Sequence, residues 1–152
     1  MHNGKALSAL IIIAMVVFGS HYAPAATDPF ANPNPHPLAS THIVIQISEK
    51  NPRTENIVLH NVANILKFYG PKKVETEVVA YGPGIDLLMK NNQHAPEVKK
   101  LTHQGVMFAA CENTMHAMHI TKQQLNAAAD PVPSGAVAII KREQQGWQYL
   151  RP

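Results

Sequence analysis

A single cysteine, Cys111, serves the whole 152-residue chain, so no internal disulfide and no Cys-x-x-Cys exchange centre can form. Charged residues are sparse at 15 %, and they do not cluster: Lys72-Lys73 and Lys99-Lys100 are the only neighbouring lysines. Aromatic residues are fewer still, at 6 %. A nucleic-acid surface needs a concentrated basic face, sometimes with aromatics for stacking, so no nucleic-acid partner is expected. Past residue 26 no apolar run is long enough to span a bilayer, which takes roughly 20 residues. No internal repeat and no second domain is visible.

The N-terminus is apolar for a different reason. Lys5 is a short basic start, residues 6–18 are an apolar core, and Ala23-Pro24-Ala25 offers small residues for cleavage. That order predicts a secretory signal peptide over residues 1–25, cut near Ala25, and hence a periplasmic protein. No cysteine lies near the cut, which excludes a lipid anchor. The only membrane tie left open is a signal sequence that stays uncleaved. Cleavage takes 25 of 152 residues and leaves 127, with a formal charge reduced from +3 to +2 by loss of Lys5. That length suffices for one domain with a real core. Residues 26–40 carry Pro29, Pro33, Pro35 and Pro37 with little apolar content, and are predicted to be an extended linker.

Ordered structure is predicted from Thr41. Residues 42–47 (HIVIQI) are β-branched and nearly continuous in apolar character, as in a strand covered on both faces. Asn51-Pro52 is a helix start, and Val58, Val62, Ile65, Leu66 and Tyr69 then share one helical face until Gly70-Pro71 stops it. Residues 74–81 (VETEVVAY) form the second strand. A Gly82-Pro83-Gly84 turn and a short helix through Ile85, Leu88 and Met89 follow. Pro96 opens another short helix, with Val98 and Leu101 inward, and Gly105 ends it. Residues 106–110 are the third strand and 112–119 a helix. Thr121 and Gln124 have capping-box spacing, which predicts more helix toward Ala129. Residues 130–135 read as a loop, 136–140 (AVAII) as a fourth strand, 141–146 as a helical turn and 147–150 as a last strand. Strands alternating with helices, over connections too long for hairpins, predict an α/β domain at 41–152. It would be a parallel sheet with helices on both faces.

In such a sheet the turns after the strands meet on one rim, where ligands gather. Cys111 ends the third strand just before a helix, where unpaired N–H groups favour a thiolate. Glu112 is an adjacent anion that favours the neutral thiol. Without a disulfide partner in the chain, Cys111 is an intermolecular bridge, a reactive thiol or a small buried hydrophobe. His103, His116 and His119 are near in sequence, but no cysteine-hydrolase signature surrounds the thiol. An unbroken helix would bring Cys111, Met115 and His119 to one face at i, i+4 and i+8, a soft donor set suited to Cu(I). The bland alternative puts the methionines in the core and the histidines in solvent.

Three stretches then carry a resemblance: Phe108-Ala109-Ala110-Cys111-Glu112-Asn113-Thr114-Met115, Val132-Pro133-Ser134-Gly135-Ala136-Val137, and QQGWQYLRP over residues 144–152. In this order they resemble the exported branch of the DsrE/DsrF-like sulfur-relay family, and the likeness extends over residues 41–152. The resemblance implies a three-layer α/β/α sandwich on a mainly parallel five-stranded sheet, assembled as a homo-oligomer, typically a trimer or hexamer. It implies that Cys111 matches the cysteine on which relay members carry sulfane sulfur as a persulfide. The expected function is periplasmic sulfur handling on that one cysteine, with no cofactor and with a sulfur-donor or acceptor protein as partner. Asn113 and Thr114 would be local hydrogen-bond donors. The pocket wall would come from Glu49 and Asn51 in one loop and Gly82 and Gly84 in the other. The alternatives are a non-catalytic oligomeric binding protein and the soft-metal binder.

Overall fold

A computed structural model describes residues 28–31 and 35–152. The expected signal peptide lies outside the described residues. Five strands form one sheet in the order β4-β3-β2-β1-β5, and every neighbouring pair is parallel. The strands are β1 (Thr41–Ile47), β2 (Val74–Ala80), β3 (Met107–Cys111), β4 (Ala129–Val132) and β5 (Gln148–Leu150). The helices are α1 (Pro52–Tyr69), α2 (Ala95–Thr102), α3 (Glu112–Ala117) and α4 (Gly135–Gln144), with a 3-10 segment at Gly82–Leu88.

Alternation along the strands divides the core in two. Ile43, Ile45 and Ile47, with Val78, Ala80, Phe108 and Ala110, face α1, α2 and the 3-10 segment and make the larger cluster. Val44, Val79 and Ala109 face the other way, against Ala138 and Ile139 of α4 and the single tryptophan, Trp147. Helix α1 starts and stops as its sequence predicts. The Asn51 side chain accepts the Arg53 N–H at 2.9 Å, and Gly70, at φ +85°, closes the end by donating to the Leu66 carbonyl.

Two expectations fail, each for its own physical reason. The fourth strand is not residues 136–140; that run lies in α4. Five apolar residues fit either period, and burial here is helical: Ala138, Ile139 and Arg142 point inward while Val137 and Ile140 are exposed. The true fourth strand is Ala129–Val132, within the stretch expected to be helix end and loop. Its Asp130-Pro131 looks like a turn, but β4 is an edge strand, where a proline's missing N–H breaks no ladder. The capping box does form, with Thr121 N–H donating to Gln124 Oε1 at 2.8 Å, yet it caps only a 3-10 turn, Lys122–Gln124.

Helix α3 is also shorter than expected. It ends at Ala117, and His119 takes a left-handed φ of +54°. Ile120 N–H reaches back to the Met115 carbonyl and His119 N–H to that of His116, a helix-ending pattern usually built around glycine.

The described part of the linker lies against the domain instead of trailing free. Phe30 packs on the smaller cluster, Lys141 holds Asp28 at 3.2 Å and lies over the Phe30 ring, and His36 N–H donates to buried Glu75.

Candidate functional site

With all strands parallel, their carboxyl ends share one edge, and Cys111 sits on it as the last residue of β3 and the cap position of α3. It has the parity of Met107 and Ala109, so its side chain belongs to the α4 side of the sheet. The residue is only 5 % exposed. The start of α4 stands directly over it. A methyl built on Gly135 would lie 3.3 Å from the Cys111 Cβ and 3.1 Å from the Tyr81 Cβ, so a side chain there would crowd both residues.

Burial is the largest single influence on the Cys111 thiol and pushes its pKa up. Four donors act against it: the Gly135 N–H, the Thr114 hydroxyl, the Thr114 N–H and the Asn113 N–H. None closes as a capping hydrogen bond on Sγ. Together they nevertheless outweigh the burial and hold the thiol below its ordinary range. Glu112, expected to oppose ionisation, is not among the principal influences.

The Thr114 hydroxyl is itself held in place. Gly82 N–H donates to Thr114 Oγ1 at 2.8 Å, which ties the turn after β2 to the start of α3. Gly82 reaches this position with a φ of +52°, in the region side chains disfavour. Tyr81, the residue before it, completes the wall. Burial raises the Tyr81 phenol above its ordinary range, nearby Tyr149 adds to this, Arg151 opposes it and Cys111 adds a little more.

The expected site residues therefore separate. Cys111, Asn113, Thr114 and Gly82 come together. Gly84 does structural work one strand away, where an added methyl would sit 2.7 Å from Ser48 N and closer still to the Ile47 carbonyl. Asn51 is occupied as the α1 cap, and Glu49 pairs at 3.5 Å with Arg151 on the open surface. The loops at 48–51 and 82–84 do approach each other. However, the cavity beside them lies on the α1 side of the sheet, lined by Lys50, Glu55, Asp86 and Asn92, and Cys111 is not part of it.

The soft-metal set is not assembled. Met115 is buried in the larger cluster on the α1 side of the sheet, Cys111 faces α4, and His119 is exposed beyond the end of α3. The i, i+8 spacing needed a helix that stops two residues short of His119. Among the described residues no cluster of three or more His, Cys, Asp or Glu side chains could hold a metal ion.

Two residues of the site, Gly135 and Tyr81, were not expected there. Gly135 lies within the second stretch of the resemblance, but reading 136–140 as a strand kept the start of α4 away from the rim. Tyr81 carried no sequence signal beyond its place at the end of a strand.

The comparisons with known proteins agree with this architecture. The DsrE/DsrF-like family matches residues 42–152. A solved protein of unknown function from Methanobacterium thermoautotrophicum is 34 % identical, with a TM-score of 0.71 over 74 % of this chain and 99 % of that one. A conserved protein of unknown function from Bacteroides thetaiotaomicron is 14 % identical, with a TM-score of 0.56 over 73 % and 94 %, and so shares the fold alone. No curated protein matches the chain. With the family matched across nearly the whole described domain and the parallel five-stranded sheet in place, the chain belongs to the DsrE/DsrF-like family.

Proposed function

We propose that the protein is an exported sulfur-handling protein that carries sulfane sulfur on Cys111. The observation that carries this reading is the thiol itself: buried, yet held toward the thiolate by donors from two helix starts. A thiolate can attack the outer sulfur of a persulfide donor, R–S–SH. The new Sγ–S bond leaves Cys111 as Cys–S–SH and releases the donor as R–S⁻. The signal-peptide pattern of residues 1–25 supports a periplasmic location. Exposed Val137 and Ile140 on the outer face of α4 suit a homo-oligomer, and a sulfur-donor or acceptor protein would be the transient partner.

Intact-mass measurement after incubation with a persulfide donor tests the carrier role. Wild type should gain sulfur in steps of one atom, and Cys111→Ser should gain none. Equal loading of both proteins, or none on wild type, would refute it. The low exposure of Cys111 favours a second reading, a non-catalytic binding protein in which the thiol only packs. That reading requires iodoacetamide to modify native Cys111 no faster than a free thiol of ordinary pKa.

A further inference from the structure

We propose that the amino end of the sheet is a docking surface for an anionic lipid bilayer, made by the exposed Phe68 ring and the lysines that the fold gathers around it. The proposal does not depend on the chemistry of Cys111, which lies at the opposite edge of the sheet.

Along the chain these lysines are scattered, and the parallel topology brings them together. A helix joining two parallel strands runs back against them, so α1 and α2 both end at the edge where the strands begin. Lys67 lies in the last turn of α1, Lys99 and Lys100 in that of α2, and Lys72 and Lys73 lead into β2. Lys67 and Lys100 line one groove together with Pro71. All five lysines are exposed, and among the described residues none pairs with a carboxylate. Glu97 lines the same groove, but one carboxylate leaves the cluster positive. Glu75 and Glu77 of the adjoining strand are buried, with partners in His42 and Arg142.

A single exposed phenylalanine is ordinary, so its setting decides. Phe68 is 82 % exposed, and its ring meets that of Tyr69 edge to face, with centroids 4.9 Å apart. Lys67 precedes the pair, and Gly70-Pro71 then Lys72-Lys73 follow it. The linker enters the fold here too: Ser40 N–H donates to the Lys73 carbonyl at 3.1 Å, and Leu38, two residues earlier, is 73 % exposed. Apolar side chains flanked by amines match a bilayer interface. The rings enter the headgroup layer and the ammonium groups meet lipid phosphates. Single-stranded nucleic acid would instead need rings offered flat to its bases, and these two stand edge to face at a helix end. The apolar run at residues 6–18, expected to meet the membrane during export, leads through the linker to this same surface. Docking by this end would turn the Cys111 rim, roughly 20 Å away along a seven-residue strand, toward water.

Every element of the fold lies within residues 41–152, so the test uses the chain from Ala26, which removes the apolar run as a membrane ligand. Sedimentation with vesicles compares pure phosphatidylcholine with a mixture containing phosphatidylglycerol. Wild type should bind the mixed vesicles about tenfold or more better than the neutral ones, and less as salt is raised. Lys72→Gln with Lys73→Gln should weaken this binding about tenfold or more, and Phe68→Ser about tenfold. Lys90→Gln with Lys122→Gln removes the same charge from exposed positions beyond the 3-10 segment and beyond α3, and should change binding less than about threefold. All the substituted side chains are exposed, and circular dichroism checks that each variant folds. Equal binding of wild type to both kinds of vesicle, or equal losses in the two lysine pairs, overturns the proposal. A smaller oligomer for Phe68→Ser without lipid also overturns it, by making this surface a contact between copies of the chain.

Discussion

The tightest residue-level constraint near the rim is at Gly84, where a methyl would meet the Ile47 carbonyl carbon at 2.6 Å and Ser48 N at 2.7 Å. These are backbone atoms at the end of β1 and just after it, and they cannot swing aside. Gly84→Ala should therefore cost about 1–3 kcal/mol, as overpacking of a rigid site does. Urea denaturation would read it, and a wild-type midpoint would show that the two loops do not meet as described. Cys111 is constrained electrostatically. Its pKa is lowered while the thiolate is the nucleophile, so alkylation should rise with pH through a midpoint below that of an ordinary thiol. Gly135 links both ideas: its missing side chain lets α4 close on the sulfur, and its N–H is one of the donors there.

Between elements, the contact of β2 with α4 is unusual in being ionic. The strand reads VETEVVA and is buried along its whole length, glutamates included. Glu77 pairs with Arg142, both about 95 % buried, and the Arg142 guanidinium lies 4.6 Å from the Trp147 ring centroid. Removing one partner leaves the other charge buried and alone. Arg142→Ala should then destabilise by roughly 3–5 kcal/mol, whereas Glu77→Leu combined with Arg142→Met should recover most of the loss. Tryptophan fluorescence during chemical unfolding suits this measurement, since Trp147 is the only tryptophan and reports from the same cluster. A double variant no better than the single would mean that the ion pair supplies net stability.

For the whole molecule, the uneven covering of the sheet matters most. One face carries α1, α2 and the 3-10 segment, while the other has α4 and the strap that includes Phe30. The strap is held by one partly buried aromatic ring, an ion pair in which both side chains are well exposed, and the His36 N–H on buried Glu75. The ring contributes about 1.5–3 kcal/mol at most, the ion pair about 0–1 and the hydrogen bond to the carboxylate about 1.5–3. A chain beginning at Ser40 should thus keep its circular dichroism spectrum and lose about 3–6 kcal/mol relative to one beginning at Ala26. Loss of the folded spectrum would show that the strap is part of the core. Such a strap opens at lower free energy than the sheet, so hydrogen exchange should be fastest there.

Much of this protein was legible locally. Four strands, the α1 boundaries and the position of Cys111 at a strand-to-helix junction follow from short apolar runs, an Asn-Pro start and a Gly-Pro stop, whose physics acts within a few residues. The motif stretches carried the family and, with it, the three layers. What the sequence could not determine was set by neighbours distant along the chain. Residues 136–140 satisfy a strand or a helix equally until Ala138 and Ile139 meet the sheet, and Asp130-Pro131 can be a strand only because it lies at an edge. The two glutamates of β2 look solvent-facing until Arg142 and His36 reach them. The electrostatic setting of Cys111 depends on distant neighbours in the same way. In sequence, its place at a helix start and its neighbour Glu112 pull in opposite directions, whereas the groups that outweigh burial are Asn113, Thr114 and Gly135, the last 24 positions away. Electrostatics at a buried sulfur depends on which dipoles the fold aims at it, and only the tertiary structure aims them.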